Sequence, residues 1–395
     1  MPIPTSFHPR TSKLCESHRW KDWAGFHAVC FYRDCHLSEY FAFRHAAGLL
    51  DVSPLFKYRV SGPQAADFLA FVLARDARRI KPGRVAYSTW CDERGRIVDD
   101  GTVLRIEEDR FRVTSATPCL AWFEEHAAAF DVTLDDEGDQ VAALALQGPC
   151  SRAIATRLCG EVAETLRFFS LAPVRIAGTP ALISRTGYTG DLGYEIWCPQ
   201  EQAVPIWDAV MEAGQDFRLL PAGLDALDMT RIEAGFILNG VDYFGAHACD
   251  ADSQTSTPFE LDLGWTVHLD REPFLGRDAL RAESARGPAH LLVGLELDQN
   301  AIEALYEAEG IPPALPSGGW RTGVPVYSGR TQIGRATSGT WSPTIQRNLA
   351  LATVPAQYAQ PGTRLEMEWT VEYVRQRVGA VVVPRPFFDP ERKRA

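Results

Sequence analysis

Two acidic features of this chain have the residue type and setting of groups that do chemistry. The first is Asp99-Asp100, which follows the apolar Ile97-Val98 and precedes Gly101. Neighbouring side chains on a strand point to opposite faces, so one carboxylate can meet solvent while the other turns inward. An inward carboxylate beside apolar strand residues is costly unless it has a partner or a task. The plainer reading of the pair is a solvated strand start. The second feature is Glu195 in GYEIW, crowded by Tyr194, Ile196 and Trp197. Alternation sets Glu195 on the face opposite Tyr194 and Ile196. A half-buried Glu there suits a ligand that offers paired N–H donors. An outward-facing strand Glu stands level with that reading.

Sharper signatures are missing. The chain has no GxxxxGK[ST], HExxH or GxSxG, and no strand-borne GxGxxG. The glycines Gly187, Gly190 and Gly193 fall at a different spacing, which suits a tight loop between two strands. The nine His residues form no HxH or HxxxH pattern, and the nine Cys form no CxxC pair. Neither a metal site nor a disulfide framework is expected; free thiols in a reducing compartment fit better, which points to the cytoplasm. A net charge of -11 argues against a nucleic-acid binder, which needs a basic surface to displace phosphate counterions. No uncharged apolar run approaches the ~20 residues needed to span a bilayer, and the N-terminus lacks the apolar core of a secretory signal.

The elements that must position these residues can be read from periodicity. Segment 61–75 predicts a helix capped by Ser61, with Pro63 in its first turn and Phe68, Leu69, Val72 and Leu73 on one face. Residues 84–90 and 102–106 predict strands about a turn at Gly95, continued by 111–115, with a helix over 119–130. VAALAL at 141–146 predicts a buried strand, followed by a helix from Ser151. Strands are expected at 181–185 and 194–197, and helices at 201–213 and 222–234, the second stopped by Gly235. Beyond about 290, short strand-like runs joined by Gly and Pro predict a small barrel or sandwich. These patterns place a boundary near 285. They divide the chain into residues 1–285, with a smaller lobe at about 61–140, and a β-rich domain at 286–395.

In order, GRIVDDGTVLRI, ALQGP, RTGYTGDLGYEIW, AGLDALDMTRIEAGF, TPFELDLGW, FLGRDAL and ATSGTWSPTIQRNLALATVPAQYAQPGTRL resemble the glycine-cleavage T protein and its relatives. These are tetrahydrofolate-dependent one-carbon transferases. They include dimethylsulfoniopropionate demethylase, aryl-ether O-demethylases and the folate domains of dimethylglycine and sarcosine dehydrogenases. The resemblance runs from about residue 24 to 388. It implies an α+β fold in a three-lobed ring, with two α+β folate-binding lobes, a C-terminal β-barrel and folate in the central channel. It also implies that Asp100 is the catalytic carboxylate beside the folate, with Asp99 facing away and more exposed. Glu195 would grip the pterin edge. Tyr87, Tyr188, Trp265 and Arg385 would complete the folate-binding set.

The implied chemistry fits the residues. A pterin edge presents adjacent N–H donors to a carboxylate. Tetrahydrofolate carries its own nucleophilic amine, so the protein need supply only orientation, electrostatics and proton handling. Several positions depart from the T-protein pattern. Leu227 stands where that protein has an Arg, Asn239-Gly240-Val241-Asp242 replaces a YGND-type tetrad, and Arg392 matches a near-terminal Tyr. Demethylases of the family also lack the Arg at the position of Leu227. Ser53-Pro54 replaces the His that follows this motif in the aryl-ether enzymes. The resemblance therefore implies a methyltransferase that takes a methyl group from a small O-, S- or N-methyl substrate and passes it to tetrahydrofolate. The alternatives are a glycine-cleavage aminomethyltransferase, a non-catalytic folate-binding protein of this fold, or a detached folate module serving a separate amine dehydrogenase. The partners implied are folate and a small methylated substrate, without nucleic acid or membrane; a homo-oligomer is compatible with them.

Overall fold

The computed structural model describes every residue except 250, 252, 253 and 317. Alternating apolar and polar residues build two large open sheets, a small two-stranded one at Arg19–Trp23 and Phe26–Phe31, and a closed barrel. The larger sheet has six strands in the order Leu171–Ile176, Thr179–Ser184, Gly193–Pro199, Val141–Gln147, Ala47–Asp51 and Leu219–Pro221. Its last two strands run parallel. Helices Ser151–Cys159 and Ala203–Ala213 cover one face, over a core that includes Leu144, Ile183, Tyr194, Ile196 and Trp207.

The smaller sheet has five strands in the order Arg84–Cys91, Ile97–Glu107, Arg110–Ser115, Phe56–Ser61 and Thr133–Asp136. Helix Ala65–Val72 buries Phe68, Leu69 and Val72 against it, and Leu73 just beyond is buried too. Ser61 does not cap this helix, as periodicity suggested. It ends a strand, because its alternation with Val60 and Tyr58 continues a run that pairs on both sides. Gly62, at φ +128°, then turns the chain into the helix. Between the two sheets lies an apolar layer containing Leu50, Val52, Val85, Leu104, Ala145 and Trp197.

The Gly- and Pro-punctuated runs after residue 290 form a barrel rather than a sandwich. Its ring runs through His290–Leu297, Arg347–Pro355, Thr331–Ser342, Val324–Ser328, Arg364–Val371 and Val374–Val383. The last strand pairs with the first and closes it, leaving no open edge.

Helix Leu224–Glu233 ties the barrel to the rest. Arg231 is fully buried between Asp228 (2.8 Å) and Asp242 (2.6 Å), and also reaches the Ser338 hydroxyl on the barrel (3.1 Å). Glu233, also fully buried, accepts from Arg44 Nε at 2.9 Å and from the hydroxyls of Tyr40 and Ser342. Buried charges are tolerable only when paired in this way. Gly235, at φ +68°, stops the helix where the sequence placed its end. Among the described residues no helix is long and apolar enough to cross a membrane.

Candidate functional site

The hairpin Arg84–Cys91/Ile97–Glu107 carries the acidic pair. Asp92 accepts the N–H groups of Arg94 (3.0 Å) and Arg96 (2.8 Å), which pins the turn around Gly95. In this register Asp100 lies opposite Thr89 and Tyr87 opposite Thr102, so Tyr87 and Asp100 share one face. Asp99 and Trp90 share the other. Gly101 lets the neighbouring strand come close: a Cβ on it would sit 1.8 Å from the Thr114 carbonyl oxygen.

Asp99 corrects an expectation. It faces away from Asp100 but is not the more exposed of the two: it is fully buried, whereas Asp100 is half-buried. The face opposite Asp100 is the lobe interior, so turning away from the site does not mean turning to water. Beside the Cys119 thiol at 3.8 Å, Asp99 is satisfied there by five N–H and O–H donors. They are the Thr117 amide (2.8 Å) and hydroxyl (2.6 Å), Asn239 Nδ2 (2.8 Å), the Tyr243 hydroxyl (3.1 Å) and the Asp100 amide (2.9 Å). This density of donors is what a buried carboxylate requires.

Asp100 accepts the Tyr87 phenol on Oδ2 at 2.6 Å and the Tyr243 phenol on Oδ1. Burial, and then the charge of Asp99, push its pKa up to about 7, partly offset by the two phenols. Burial together with the charges of Asp100 and Asp99 drives both phenols well above the ordinary tyrosine range, so they stay donors. A carboxylate held near neutrality between two fixed donors can carry a proton in either direction.

Of the other predicted residues, Trp265 and Tyr188 lie by this pair, whereas among the described residues no contact joins Arg385 to it. Trp265 stacks on Tyr87 with centroids 5.9 Å apart, and Arg75 lies 5.3 Å from the Trp265 ring. Trp265 remains 60% exposed, an open aromatic face beside the carboxylate. Tyr188 stacks on Phe236 at 5.5 Å, donates to the Ile237 carbonyl, and has its pKa raised by burial and in part by Asp100. Arg385 reaches the Gly235 carbonyl (3.2 Å) and Asp262 (3.3 Å) from the far end of the barrel domain. Burial lowers its pKa.

Glu195 sits as alternation predicted. Tyr194 and Ile196 are fully buried in the helix-covered core, and Glu195 is half-buried on the opposite face. Its Oε2 accepts the Thr186 hydroxyl at 2.5 Å. Thr186 is hydrogen-bonded to Ser184 (2.7 Å), which in turn accepts from the Trp197 indole (3.1 Å). Burial raises the Glu195 pKa, and among the described residues no basic side chain pairs with it. Such a carboxylate has unused acceptor capacity, the property a ligand with paired N–H donors calls for. The loop joining Tyr188 to Glu195 is held from beneath by Gln147 of ALQGP. Gln147 is fully buried, donates to the carbonyls of Thr186 (3.1 Å) and Tyr194 (3.2 Å), and accepts from Thr189 (2.9 Å). A Cβ at Gly187 or Gly193 would stand 1.9 or 2.2 Å from its Oε1, so these two glycines make room for one side chain.

Tyr243 escapes the sequence reading, which names Asn239 only as a departure from the family pattern. Tyr243 and Asn239 close over Asp99 and Asp100 from the segment after helix Leu224–Glu233. The reading stopped at Asp242, one residue short of Tyr243. The available signal was chemical: two adjacent carboxylates, one turned inward, must find donors somewhere. The departures have structural roles. Leu227 packs in the apolar layer between the sheets, Asn239 donates to Asp99 at 2.8 Å, and Arg392 forks onto Asp191 at 2.7 and 2.8 Å. Among the described residues no group of His, Cys, Asp or Glu could hold a metal ion.

Comparison with known proteins matches residues 10–271 to the GCVT N-terminal domain and residues 314–389 to the glycine cleavage T-protein C-terminal barrel domain. The chain is 35% identical to a trimethylamine-oxide aldolase of Ruegeria pomeroyi, over 99% of this chain and 47% of that protein. It therefore spans about half that relative's length. It is 34% identical to an aminomethyltransferase of Caldanaerobacter subterraneus, over 91% of this chain and 89% of that one, and 36% identical to one of Symbiobacterium thermophilum, over 91% and 90%. The crystal structure of the glycine cleavage system aminomethyltransferase T of Bartonella henselae superposes with a TM-score of 0.83 at 26% identity, covering 98% of this chain and 99% of that one.

Proposed function

From the premise that this chain belongs to the glycine cleavage T-protein family, whose aminomethyltransferases are one-carbon transferases that use tetrahydrofolate, we propose that it transfers a methyl group from a small methylated substrate to tetrahydrofolate. The observation that carries this reading is Asp100: half-buried, bracketed by the phenols of Tyr87 and Tyr243, with its pKa near neutrality. Bound tetrahydrofolate supplies a ring amine that accepts the one-carbon unit. Glu195 would hold the pterin edge through its unused acceptor positions, and Tyr188, Trp265 and Arg385 would bound the ligand. Tyr87 and Tyr243 fix the Asp100 carboxylate, so its oxygens need no rearrangement to receive the proton that the attacking amine gives up. Burial and the neighbouring charge of Asp99 keep the Asp100 pKa high enough for this exchange at neutral pH.

Leu227 and the Asn239–Asp242 segment favour a small methyl donor over an aminomethyl-lipoyl carrier. Leu227 offers no charge, and Asn239 is committed to Asp99. The test is to incubate the protein with tetrahydrofolate and a panel of O-, S- and N-methyl donors and identify the folate product by mass. Methyl-tetrahydrofolate supports the proposal. Rapid ammonia release from aminomethyl-lipoyl carrier protein would instead establish the aminomethyltransferase reading. A second reading is favoured by similarity to a trimethylamine-oxide aldolase, 35% identical over 99% of this chain. It is a folate module that takes a carbonyl-level carbon made by a separate catalyst. Methylene-tetrahydrofolate formed from added formaldehyde faster than in the protein-free mixture, with no methyl donor active, is its signature.

A further inference from the structure

Proton handling at Asp100 leaves the setting of Arg75 unexplained. Arg75 sits in a segment clamped between strand Arg84–Cys91 and the loop that carries Trp265. The Ala74 amide donates to the Thr89 carbonyl at 2.9 Å, and the His268 amide donates to the Ala74 carbonyl at 3.0 Å. The Arg75 amide donates to the Ser88 hydroxyl at 3.3 Å. The side chain is fixed as well. Its Nε donates to the Tyr87 carbonyl at 2.8 Å, and its guanidinium carbon lies 5.3 Å from the Trp265 ring centroid. A guanidinium held by a backbone oxygen and an aromatic ring is preorganised, so an anion that meets it orders little further side chain.

Arg75 lacks a counter-charge. Among the described residues no carboxylate pairs with it, and its two terminal nitrogens have no hydrogen-bond partner and are not buried. The neighbouring arginines are occupied. Arg78 binds Asp76 and Glu272, Arg79 lies 3.5 Å from Asp76, and Arg271 donates to the carbonyls of Ala70, Leu73 and Ala74. Arg75 is half-buried, and burial lowers its pKa with no acidic group to offset the cost. A half-buried cation with donors to spare is stabilised by the arrival of an anion.

Its place in the site indicates which anion. Asp100 is bonded to the Tyr87 phenol, Tyr87 stacks on Trp265, and Trp265 lies beside Arg75. Moving away from the proton-handling carboxylate, the chain thus offers an open aromatic surface and then a free guanidinium. Beyond its amine-bearing pterin, tetrahydrofolate carries an aminobenzoyl ring joined through an amide to a glutamate. Aryl ring and then carboxylate is the order in which Trp265 and Arg75 stand.

We propose that Arg75 is a specificity residue for the folate tail: its terminal nitrogens pair with a glutamyl carboxylate, so the site prefers carboxylated folates to pterin compounds that lack the glutamate. This assignment rests on the folate reading above.

Anaerobic calorimetric titration of the full chain with tetrahydrofolate and with tetrahydropteroate, the same molecule without its glutamate, tests it. The wild type should bind tetrahydrofolate about tenfold or more tightly than tetrahydropteroate. Arg75→Gln should abolish that preference and leave tetrahydropteroate affinity unchanged, and Arg75→Lys, which keeps the charge but loses the fork, should retain part of it. In the wild type alone, the preference should shrink as ionic strength rises. Equal wild-type affinities for the two ligands would overturn the assignment and leave the folate reading standing. Equal weakening of both ligands by Arg75→Gln would also overturn it, showing that Arg75 only supports Tyr87 and Trp265. Binding of neither ligand to the wild type would overturn the folate reading itself, and this assignment with it.

Discussion

Replacing Asp100 with Asn removes the charge and keeps the shape. The expected result is a slower and, above neutral pH, more stable protein. The Asp100 pKa stands at about 7 in the folded chain, roughly three units above that of a free carboxyl. At about 1.4 kcal/mol per unit, ionised Asp100 costs the fold up to about 4 kcal/mol. The sign follows from the raised folded pKa. The cost is absent below about pH 4, grows as pH rises, and is complete above about pH 7. An Asn side chain escapes it but gives up one charge-assisted phenol bond, from Tyr87 or Tyr243, worth about 1–2 kcal/mol. Asp100→Asn should therefore be neutral to slightly destabilising at pH 5 and stabilising by about 2–3 kcal/mol at pH 8.5. Urea unfolding followed by tryptophan fluorescence across that range measures the difference. Single-turnover transfer to tetrahydrofolate should fall by roughly 10²–10⁴-fold, the usual worth of a positioned acid–base group. A stability offset that is the same at both pH values would show that Asp100 titrates as an ordinary surface carboxylate, and the proton-handling argument would fall with it.

Three further outcomes follow from the same geometry. Glu195→Gln should weaken tetrahydrofolate binding by ~1.5–3 kcal/mol through loss of charge-assisted acceptance, and unchanged affinity by calorimetry would remove Glu195 from the site. Asp99→Asn should destabilise the chain by about 1–3 kcal/mol, because an amide NH₂ cannot accept the Thr117 donors, and should move the acid limb of the rate profile to lower pH by removing a charge that raises the Asp100 pKa; an unmoved limb in the pH–rate profile speaks against the coupling. Gly101→Ala should abolish soluble expression or cost more than about 3 kcal/mol, since its Cβ would lie 1.8 Å from a backbone oxygen, and near-native denaturation would show that the strands can separate there.

How much was legible in the sequence depended on whether one segment carried the whole signal. The hairpin around Gly95, the strand with Glu195 and the helix stopped by Gly235 were readable because periodicity, turn chemistry and capping agree within each segment. Helix Leu37–His45 and strand Ala47–Asp51 were not assigned. The helix buries the charged Glu39 and Arg44 beside Phe43, so its burial pattern is not a polarity pattern. Arg44 is inside because Glu233, far along the chain, is there to meet it. The same limit governs the site. Asp100, Tyr87 and Glu195 follow from strand alternation and the family resemblance, but the depth of Asp99 depends on Thr117, Asn239 and Tyr243, which only the tertiary fold brings to it. Alternation predicts that two neighbours face apart; it cannot say which face meets water.

The way helix Leu224–Glu233 is fastened also bears on how the molecule comes apart. Arg231 and Glu233 find partners on barrel strand Thr331–Ser342, at Ser338 and Ser342, and Asp228 finds Arg321 just ahead of barrel strand Val324–Ser328. Pulling the barrel away would strand these charges without their donors in a seam too deep for water to replace them quickly. A protease cut in the connection ahead of the barrel should therefore yield two fragments that travel together on a sizing column. The barrel expressed alone would present an acceptor-hungry, half-polar wall and tend to stick to itself. Module boundaries drawn by similarity, at residues 271 and 314, mark where inherited patterns end, not where the molecule can be divided.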